Sequence, residues 1–342
     1  MNHDPTTTRR LPAEWEPQDA VLLAWPHGKT DWAEYLDEVQ AVYDQIIRAI
    51  IRFERVILVA PEAESLQGRW PADRVQIHPV PTNDTWARDF GPITVMEGGR
   101  PRLLDFRFSG WGDKFAADLD DQVTRSLHGQ GLMGKTPLEI NMFALEAGSI
   151  ESDGKGTVLT TTTCLLNPNR NPEFNHAEIE QELTETLGAE RILWLKHGHL
   201  AGDDTDAHID TLARLAPDDT LVYVQCDDPE DEHYAALKAM EAELQAFRTR
   251  EGKPYRLLPL PWPAAKYETD GHRLPATYAN FLIINDAVLV PVYNDPSDNQ
   301  ALLVVAQAFP GREIIGIDCS VLIRQHGSLH CITMQIPQGV CL

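Results

Sequence analysis

The segment GDDTDAHID, residues 202–210, places four aspartates and one histidine within nine positions. Side chains of these types could coordinate a metal ion, bind an organic cation or form a solvated acidic loop. Calcium is disfavoured because His208 and Arg214 stand where a calcium-binding loop has its turn glycine and its closing glutamate. Zinc would have to use His197, His199 and His208, but the sequence has no HExxH helix. We therefore predict no metal site here and leave the cation site and the solvated loop open.

His208 and Asp210 are the pair in this segment best placed for chemistry. They are two residues apart, so both side chains point to the same side of an extended chain and could face one ligand together. The alternative is a solvated loop with a core-facing histidine. Asp203 and Asp206 receive no role, and we expect them to be solvated.

Cys331 is the cysteine whose surroundings in the sequence best suit a reactive thiolate. It lies in RQHGSLHCITMQIP (324–337), after a glycine-containing turn and at the start of an apolar run, so backbone amides of the turn could favour its thiolate. The five cysteines are widely spaced without a CxxC pair, which argues against a disulfide framework or a zinc ribbon. We interpret the other four as buried hydrophobes (Cys164, Cys226 and Cys319) and as a frayed chain end (Cys341).

Two further segments carry carboxylates in apolar surroundings, NDTWARDFGP at 83–92 and LEAGSI at 145–150. Taken alone, the first would be a capped loop with an ion pair between Arg88 and Asp89, and Glu146 in the second is a weak signal. Together with a cysteine and a histidine at strand ends, these carboxylates are typical of nucleophilic attack on a cationic carbon centre.

The composition favours a small cationic ligand. Asp and Glu number 52 against 29 Lys and Arg, a net charge of −23, which disfavours nucleic acid and anionic membranes as partners. The chain shows neither a signal peptide nor an apolar run of membrane-spanning length, so we expect a cytoplasmic protein. With 43% hydrophobic residues and no linker-like tract, we predict one domain over residues 1–342.

The pattern of strands and helices predicts an α/β fold. A capping box formed by Asn175 and Glu178, with Gly188 at the far end, indicates one helix boundary in detail, and Asn285 and Asp286 are typical of a hairpin turn. Strands are predicted at 55–60, 157–166, 191–195, 220–225, 280–293 and 313–318, and helices at 31–54, 114–129, 175–188, 230–248 and 298–309. A helix with several short strands recurs about every 60 to 70 residues, which hints at a modular ring but does not establish one.

The motifs themselves resemble a known family. LPAEWEPQDAVLLAWP, NDTWARDFGP, LEAGSIESDG, CLLNPNRNP, GDDTDAHIDTLARL and HGSLHCITMQIP have the order and spacing of the agmatine deiminases, over nearly the whole chain. The resemblance implies a five-bladed α/β propeller (pentein fold) with pseudo-fivefold repeats of strands and one helix. It also implies a small guanidine substrate, no metal or organic cofactor, and a homo-oligomer, expected to be a dimer.

The resemblance assigns roles residue by residue. Cys331 resembles the nucleophile, His208 the general acid and base, and Asp89 and Asp210 the carboxylates that bind the guanidinium. Further substrate contacts are expected from Trp86 as a channel wall, from Asp204 toward a distal amine, and from Asp84, Glu146 and Gly327. Such a site would hydrolyse agmatine to N-carbamoylputrescine and ammonia through a covalent thiouronium intermediate, in putrescine biosynthesis.

Two departures and several alternatives bear on substrate identity. Ala147 and Ala207 stand where the family has glycine, and each adds a methyl group beside the expected site. The same apparatus could deiminate free or peptidyl arginine, hydrolyse methylated arginine, transfer an amidino group, or survive in an inactive binding protein. Agmatine is favoured because Asp204 suits a second positive group. A papain-like protease is disfavoured because Cys331 is neither borne on a helix nor near the start of the chain.

Overall fold

The structure is a computed structural model that describes residues 9–341. Its strands are β1 Arg9–Arg10, β2 Gln18–Ala24, β3 Arg55–Val59, β4 Val75–His78, β5 Ile93–Glu97, β6 Arg100–Arg107, β7 Leu138–Ala144, β8 Ile150–Ser152, β9 Thr157–Thr161, β10 Arg191–Leu195, β11 Ala213–Ala216, β12 Thr220–Val224, β13 Arg256–Leu260, β14 Lys266–Tyr267, β15 Arg273–Leu274, β16 Leu282–Ile284, β17 Ala287–Val292, β18 Glu313–Asp318 and β19 Thr333–Pro337. Its α-helices are α1 Leu36–Ile50, α2 Ala87–Phe90, α3 Gly110–Asp113, α4 Val123–Gly129, α5 Thr162–Leu165, α6 His176–Leu187, α7 Tyr234–Ala246 and α8 Asp298–Ala308. The α/β class predicted from the sequence is confirmed.

Five sheets repeat one connection. In each, an antiparallel strand pair is followed by a parallel pair: β5-β6-β7, β8-β9-β10, β11-β12-β13, β16-β17-β18 and β19-β2-β3. A parallel pair needs a crossover connection, and in every case at least one α-helix lies in the crossover. The fifth sheet pairs β19, near the end of the chain, with β2, near its start.

The elements bury one apolar core, and α1 shows why. Its residues Val39, Tyr43, Ile46 and Ile50 recur at helical spacing and are all buried, against strands whose apolar runs are buried on both faces. Within residues 9–341, no helix is both long enough and apolar enough to cross a membrane.

The local signals predicted α6 well. The side chain of Asn175 accepts hydrogen bonds from the N–H groups of Ala177 and Glu178, and the helix ends at Gly188 with φ 71°. The hairpin turn between β16 and β17 is also confirmed, with Asp286 at φ 60°. The helices predicted at 31–54, 230–248 and 298–309 form with shorter ends as α1, α7 and α8.

Three predictions were wrong in part. The strand expected over 157–166 ends at Thr161, because the Thr161 hydroxyl accepts from the N–H of Cys164 and caps α5. The helix expected over 114–129 begins as an α-helix at Val123, after a short 3-10 turn. Cys341 is not frayed, since its N–H donates to Asp19 Oδ2 at 2.8 Å.

Candidate active site

Short turns at the ends of strands bring the predicted site residues together. Asp89 lies in α2, which leads into β5, and Asp210 lies in a 3-10 turn (Ile209–Thr211) that leads into β11. His208 immediately precedes that turn, and Cys331 lies two residues before β19. All four side chains are buried. The chain therefore assembles a thiol, an imidazole and two carboxylates from segments that are distant in sequence.

Asp210 connects the nucleophilic sulfur to a buried histidine. Its Oδ2 lies 3.6 Å from Cys331 Sγ and 2.7 Å from Nδ1 of His330, whose N–H donates to it. Burial disfavours the carboxylate, but the hydrogen bond from His330 and the nearby cations outweigh it and lower the pKa of Asp210. Asp210 Oδ1 is buried and makes no hydrogen bond within residues 9–341.

Asp89 is oriented by two donors. The N–H of Gly148 donates to Oδ1 at 3.2 Å, and the indole N–H of Trp111 donates to Oδ2 at 2.9 Å. Burial raises the pKa of Asp89 to about 6, and the carboxylates of Asp210 and Glu146 act in the same direction, while His208 opposes them. The two aspartates therefore differ, since Asp210 stays ionised and Asp89 titrates closer to neutrality.

His208 lies between carboxylates without a close hydrogen bond to either. Its Nδ1 is 3.7 Å from Asp89 Oδ1, and its Nε2 is 3.8 Å from Glu146 Oε2. Burial lowers the pKa of His208, but Asp89, Cys164 and Glu146 outweigh burial and raise the pKa well above its ordinary value. Neither ring nitrogen has a hydrogen-bond partner in the described part of the chain. The imidazole is thus held as a cation with its polar atoms available.

Glu146 supports the site rather than lining its cavity. Both carboxylate oxygens accept from Arg170 Nε, at 2.8 and 3.1 Å, and the carboxylate faces His208. Burial disfavours its charge, but Arg170 and His208 lower the pKa of Glu146 to about 2. Like His208 and Asp210, it is not among the residues that line the cavity described below, so its substrate contact stays a prediction.

The two aspartates expected to be solvated are instead structural. Asp203 accepts from the hydroxyl of Thr205 at 2.6 Å and from the N–H of Ala207 at 2.8 Å. Asp206 forms ion pairs with Lys114 at 2.8 Å and with Arg170 at 2.7 Å. The prediction was wrong because these partners come from distant segments or from the backbone of the loop itself.

A cavity of about 370 Å³ leads to Cys331. Trp86 and Trp111 form apolar walls near the sulfur, and Gly327 lies so close to Trp86 that a Cβ on it would stand 2.2 Å from the indole ring. The lining carries an excess of acidic side chains, among which are the predicted contacts Asp84 and Asp204: Asp31, Asp84, Asp89, Asp120 and Asp204. Such a lining favours a cationic ligand.

The mouth of the cavity is less buried than its floor. The Asp204 side chain is 42% exposed, and its Oδ2 lies 3.5 Å from Nε2 of His326. Asp84 is more enclosed, and burial, with Asp31 beside it, raises the pKa of Asp84 to about 6. Asp204, the predicted contact for the distal amine, is thus open to a solvated ammonium group.

The glycine positions differ in their importance. Ala207 has φ 65°, in the left-handed region that favours glycine, whereas Ala147 does not. Gly148 is the glycine that the site requires, because a Cβ there would stand 2.6 Å from His208 Nδ1 and 2.9 Å from Asp89 Oδ1. The methyl group of Ala147 lies instead beside a separate small cavity around Pro12.

Three residues at the site escaped the sequence analysis. His330 holds Asp210, Trp111 holds Asp89, and Asn280 contacts Cys331. His330 adjoins Cys331 within a motif already singled out, so its position was a usable signal. Trp111 and Asn280 lie outside the quoted motifs and gave none.

Among residues 9–341, two groups of side chains could offer ligands to a metal ion. Glu146, Cys164 and His208 form one, and Glu14, Glu151 and His330 form the other. Arginines already pair with the carboxylates of both groups: Arg170 with Glu146, Arg88 with Glu14, and Arg214 with Glu14 and Glu151. A metal cation would have to displace these guanidinium groups, so the geometry disfavours a metal at either place. Cys164 is buried, as predicted, but lies beside His208 rather than in an inert strand.

Comparisons with known proteins agree with this geometry. An agmatine deiminase of Pseudomonas aeruginosa is 32% identical over 98% of both chains. A cysteine-to-serine variant of the C. jejuni agmatine deiminase, solved with substrate bound, is 39% identical, with a TM-score of 0.93 over 99% of each chain. A Porphyromonas gingivalis structure provisionally named an arginine deiminase is 52% identical, with a TM-score of 0.94 over 98% of this chain and 100% of that one.

The family model agrees as well. Residues 10–337 match the model of the Porphyromonas-type peptidyl-arginine deiminases. The resemblance inferred from the motifs is therefore confirmed over almost the full chain. With a thiol, an imidazole and two carboxylates assembled beneath an acidic cavity, the chain belongs to the Porphyromonas-type peptidyl-arginine deiminase family.

Proposed function

We propose that this protein hydrolyses agmatine to N-carbamoylputrescine and ammonia, as a step in putrescine formation. One observation carries the proposal: Asp210 Oδ1 is buried and lacks a hydrogen-bond partner within residues 9–341, and the other oxygen of this carboxylate lies 3.6 Å from Cys331 Sγ. Buried polar atoms are normally paired, so this carboxylate oxygen calls for a ligand that supplies an N–H donor. A guanidinium is a planar cation with that property.

The carboxylates would hold the guanidinium over the sulfur. Asp89 and Asp210 both lie in the buried pocket around Cys331, and each would accept charge-assisted hydrogen bonds from the substrate. This fixes the guanidinium carbon within reach of Sγ. Trp86 would form a wall of the channel, and Asp204 would meet the distal ammonium at the mouth.

The first half of the reaction releases ammonia. Burial, with Asp210 and Asp89 nearby, raises the pKa of Cys331 well above its ordinary value, so the free protein holds a neutral thiol. A bound guanidinium places a positive charge beside the sulfur and favours loss of the thiol proton. The thiolate electron pair then forms a C–S bond, His208 gives its proton to one nitrogen, and the C–N bond breaks to release ammonia.

The second half releases the ureido product. The covalent intermediate is a thiouronium cation, and His208 is now neutral. His208 takes a proton from water while the water oxygen attacks the carbon, and the C–S bond then breaks with its electron pair returning to Sγ. The remaining proton passes from the new carbonyl oxygen to Sγ and restores the neutral thiol, while the proton that the thiol lost in the first half converts ammonia to ammonium. No step of this scheme calls for a metal or an organic cofactor.

Arginine is the second candidate substrate. Lys29 is the one lysine or arginine among the described residues that line the cavity, and it could meet the carboxylate of arginine. Agmatine is preferred because the carboxylates of the cavity lining outnumber Lys29 and would repel the arginine carboxylate. A steady-state comparison of agmatine, arginine and an arginine peptide decides between them. A higher kcat/KM for arginine than for agmatine would contradict the proposal.

Cys331→Ser tests the chemistry directly. We expect loss of ammonia release from agmatine, with binding of agmatine retained, because the variant lacks the nucleophile but keeps both carboxylates. Cys226→Ser is the matched control, since Cys226 is also buried but lies outside the cavity. Turnover by the Cys331 variant at the wild-type rate would show that another group performs the attack.

We propose further that the chain, residues 1–342, is one domain with the five-bladed propeller architecture. The five sheets with one shared connection pattern support this, as does the pairing of β19 with β2, which would join the last blade to the first. The cytoplasmic location and the homodimer stay predictions; light scattering of the purified protein tests the second.

A further inference from the structure

His326 is a cavity residue to which the proposed reaction gives no role. It lies in the turn that precedes Cys331, at the mouth of the cavity, and its side chain is partly exposed. Its backbone has φ 69°, in the left-handed region that residues with a Cβ rarely adopt. The side chain is therefore kept at the mouth despite an unfavourable backbone conformation, which is a property of many functional positions.

Two neighbours fix the orientation of the His326 ring. Its Nδ1 lies 2.8 Å from the carbonyl oxygen of Gly202, and the ring stacks on that of His272 with 5.8 Å between the centroids and 25° between the planes. A carbonyl oxygen can only accept, so Nδ1 carries a proton and donates to it. In the neutral imidazole the lone pair then lies on Nε2.

The Nε2 atom of His326 faces Asp204. It lies 3.5 Å from Asp204 Oδ2, which is longer than the roughly 2.8 Å of a charge-assisted hydrogen bond. The two atoms are thus neighbouring acceptors rather than a bonded pair. One nitrogen that carries several N–H groups can lie within hydrogen-bond distance of both, and a primary ammonium has three such groups.

His326 adds to this end of the cavity something that its carboxylates do not supply. Asp204 and the other aspartates of the lining attract any cation, whatever its substituents. A neutral lone pair contributes little to that attraction, but it accepts a hydrogen bond only from a donor that points at it. The carboxylates therefore favour positive charge, and His326 favours a positive group that carries N–H.

We propose that His326 is a specificity-determining residue whose Nε2 accepts, together with Asp204, N–H groups of a primary ammonium at the far end of the guanidine substrate. This role rests on the proposed deiminase function and deepens it by naming the substrate class, guanidines whose chain ends in a primary amine. n-Butylguanidine has no donor at this end. Arginine has one, but its carboxylate would be brought against the same two acceptors.

Two variants of His326 separate accepting from holding the loop. In His326→Asn the amide nitrogen takes the place of Nδ1 and keeps the donor to Gly202, the residue tolerates a positive φ, and the acceptor at the position of Nε2 is lost. In His326→Gln the amide oxygen reaches the position of Nε2, but the donor to Gly202 is lost. Each variant thus keeps one of the two contacts of the ring.

The test is calorimetric titration of agmatine and of n-butylguanidine into the full-length protein carrying Cys331→Ser, which binds without turnover. An acceptor role predicts that His326→Asn weakens agmatine about fivefold and leaves n-butylguanidine unchanged, while His326→Gln keeps most of the preference for agmatine. A role limited to holding the loop predicts the reverse order, with both ligands weakened equally in His326→Gln.

His197→Asn is the matched control. His197 is also a partly exposed histidine beside a carboxylate, with Nδ1 3.0 Å from Glu243 Oε1, but it lies outside the cavity. We expect this variant to bind both ligands as the parent protein does.

Steady-state assays in the Cys331 background complete the test. They should show KM for agmatine about fivefold higher in His326→Asn with kcat little changed. If His326→Asn left the ratio of the two Kd values unchanged, the role of His326 would be overturned. A changed ratio in a protein that releases no ammonia from agmatine would overturn the proposed reaction and leave the recognition of the ammonium in place.

Discussion

His330 Nδ1 donates a 2.7 Å hydrogen bond to Asp210 Oδ2, whereas the second oxygen of Asp210 is buried and makes no hydrogen bond within residues 9–341. On its other side, His330 Nε2 lies 2.9 Å from Glu14 and 3.0 Å from Arg214. Both partners are largely buried. A chain of charged groups therefore runs behind the guanidinium site and sets the direction of one carboxylate.

Replacing His330 by asparagine should weaken guanidinium binding. The shorter side chain cannot span Glu14 and Asp210, so Asp210 loses its orienting donor and part of what keeps it ionised. We expect KM for agmatine to rise about tenfold, corresponding to about 1.4 kcal/mol, with a smaller fall in kcat. Steady-state kinetics with agmatine provides the measurement.

His233→Asn provides the control for His330. His233 is also a buried histidine, bonded to Asp231 Oδ1 at 2.7 Å, but it lies away from the cavity. We expect His233→Asn to lower the free energy of unfolding while KM for agmatine stays at the wild-type value. If both variants changed KM equally, that result would contradict a positioning role of His330.

Features that depend on neighbouring residues could be predicted from the sequence, whereas contacts between residues far apart in the chain could not. α6 could be placed to the residue because its capping box and its terminal glycine are local signals. The four central site residues could be named because each lies in a motif that resembles the family. The hydrogen bonds that orient them could not, since His330 and Asp210 are 120 residues apart and Asn280 and Cys331 are 51 apart.

Backbone conformation set a second limit. The segment that carries Trp111 runs through the left-handed region: Trp111 at φ 59° and Asp113 at φ 61° alternate with Gly110 and Gly112, which also have positive φ. Non-glycine residues rarely adopt this conformation, so the sequence gave no sign of this turn. The strained turn delivers the indole N–H to Asp89, a contact that only the assembled fold reveals.

Activity should show an acid limb set by Asp89. The raised pKa of about 6 means that its carboxyl group takes up a proton as the pH falls through 6, whereas the lowered pKa of Asp210 keeps that group ionised. A neutral Asp89 loses its charge-assisted bond to the guanidinium, which itself stays charged throughout this range. We expect kcat/KM for agmatine to fall about tenfold per pH unit below pH 6. A limb centred near pH 4 would mean that Asp89 has an ordinary pKa and would contradict this reading.

Ala207→Gly should stabilise the protein. Ala207 has φ 65°, and a Cβ in this region costs about 1–2 kcal/mol, while glycine in the unfolded chain costs part of that gain. We expect the free energy of unfolding in urea to rise by about 0.5–1 kcal/mol, with turnover preserved because the backbone beside His208 keeps its conformation.

Ala147→Gly is the matched comparison at the other departure from the family. Its φ is not positive, so glycine there should lower the free energy of unfolding by a similar amount. The same sign in both variants would show that backbone strain does not distinguish them.

Asp204→Asn should affect agmatine and spare a guanidine without the distal amine. The Asp204 side chain lies at the cavity mouth and is 42% exposed, so its attraction to an ammonium group is screened by water and worth about 0.5–1 kcal/mol. We expect KM for agmatine to rise about two- to fivefold, with kcat unchanged and kcat/KM for n-butylguanidine unaltered. Lys29→Gln, at the one lysine or arginine among the described cavity residues, should lower the turnover of arginine and leave the turnover of agmatine at or above the wild-type rate. An equal loss for agmatine and n-butylguanidine in Asp204→Asn would place the contribution of Asp204 in loop structure rather than in recognition of the distal cation.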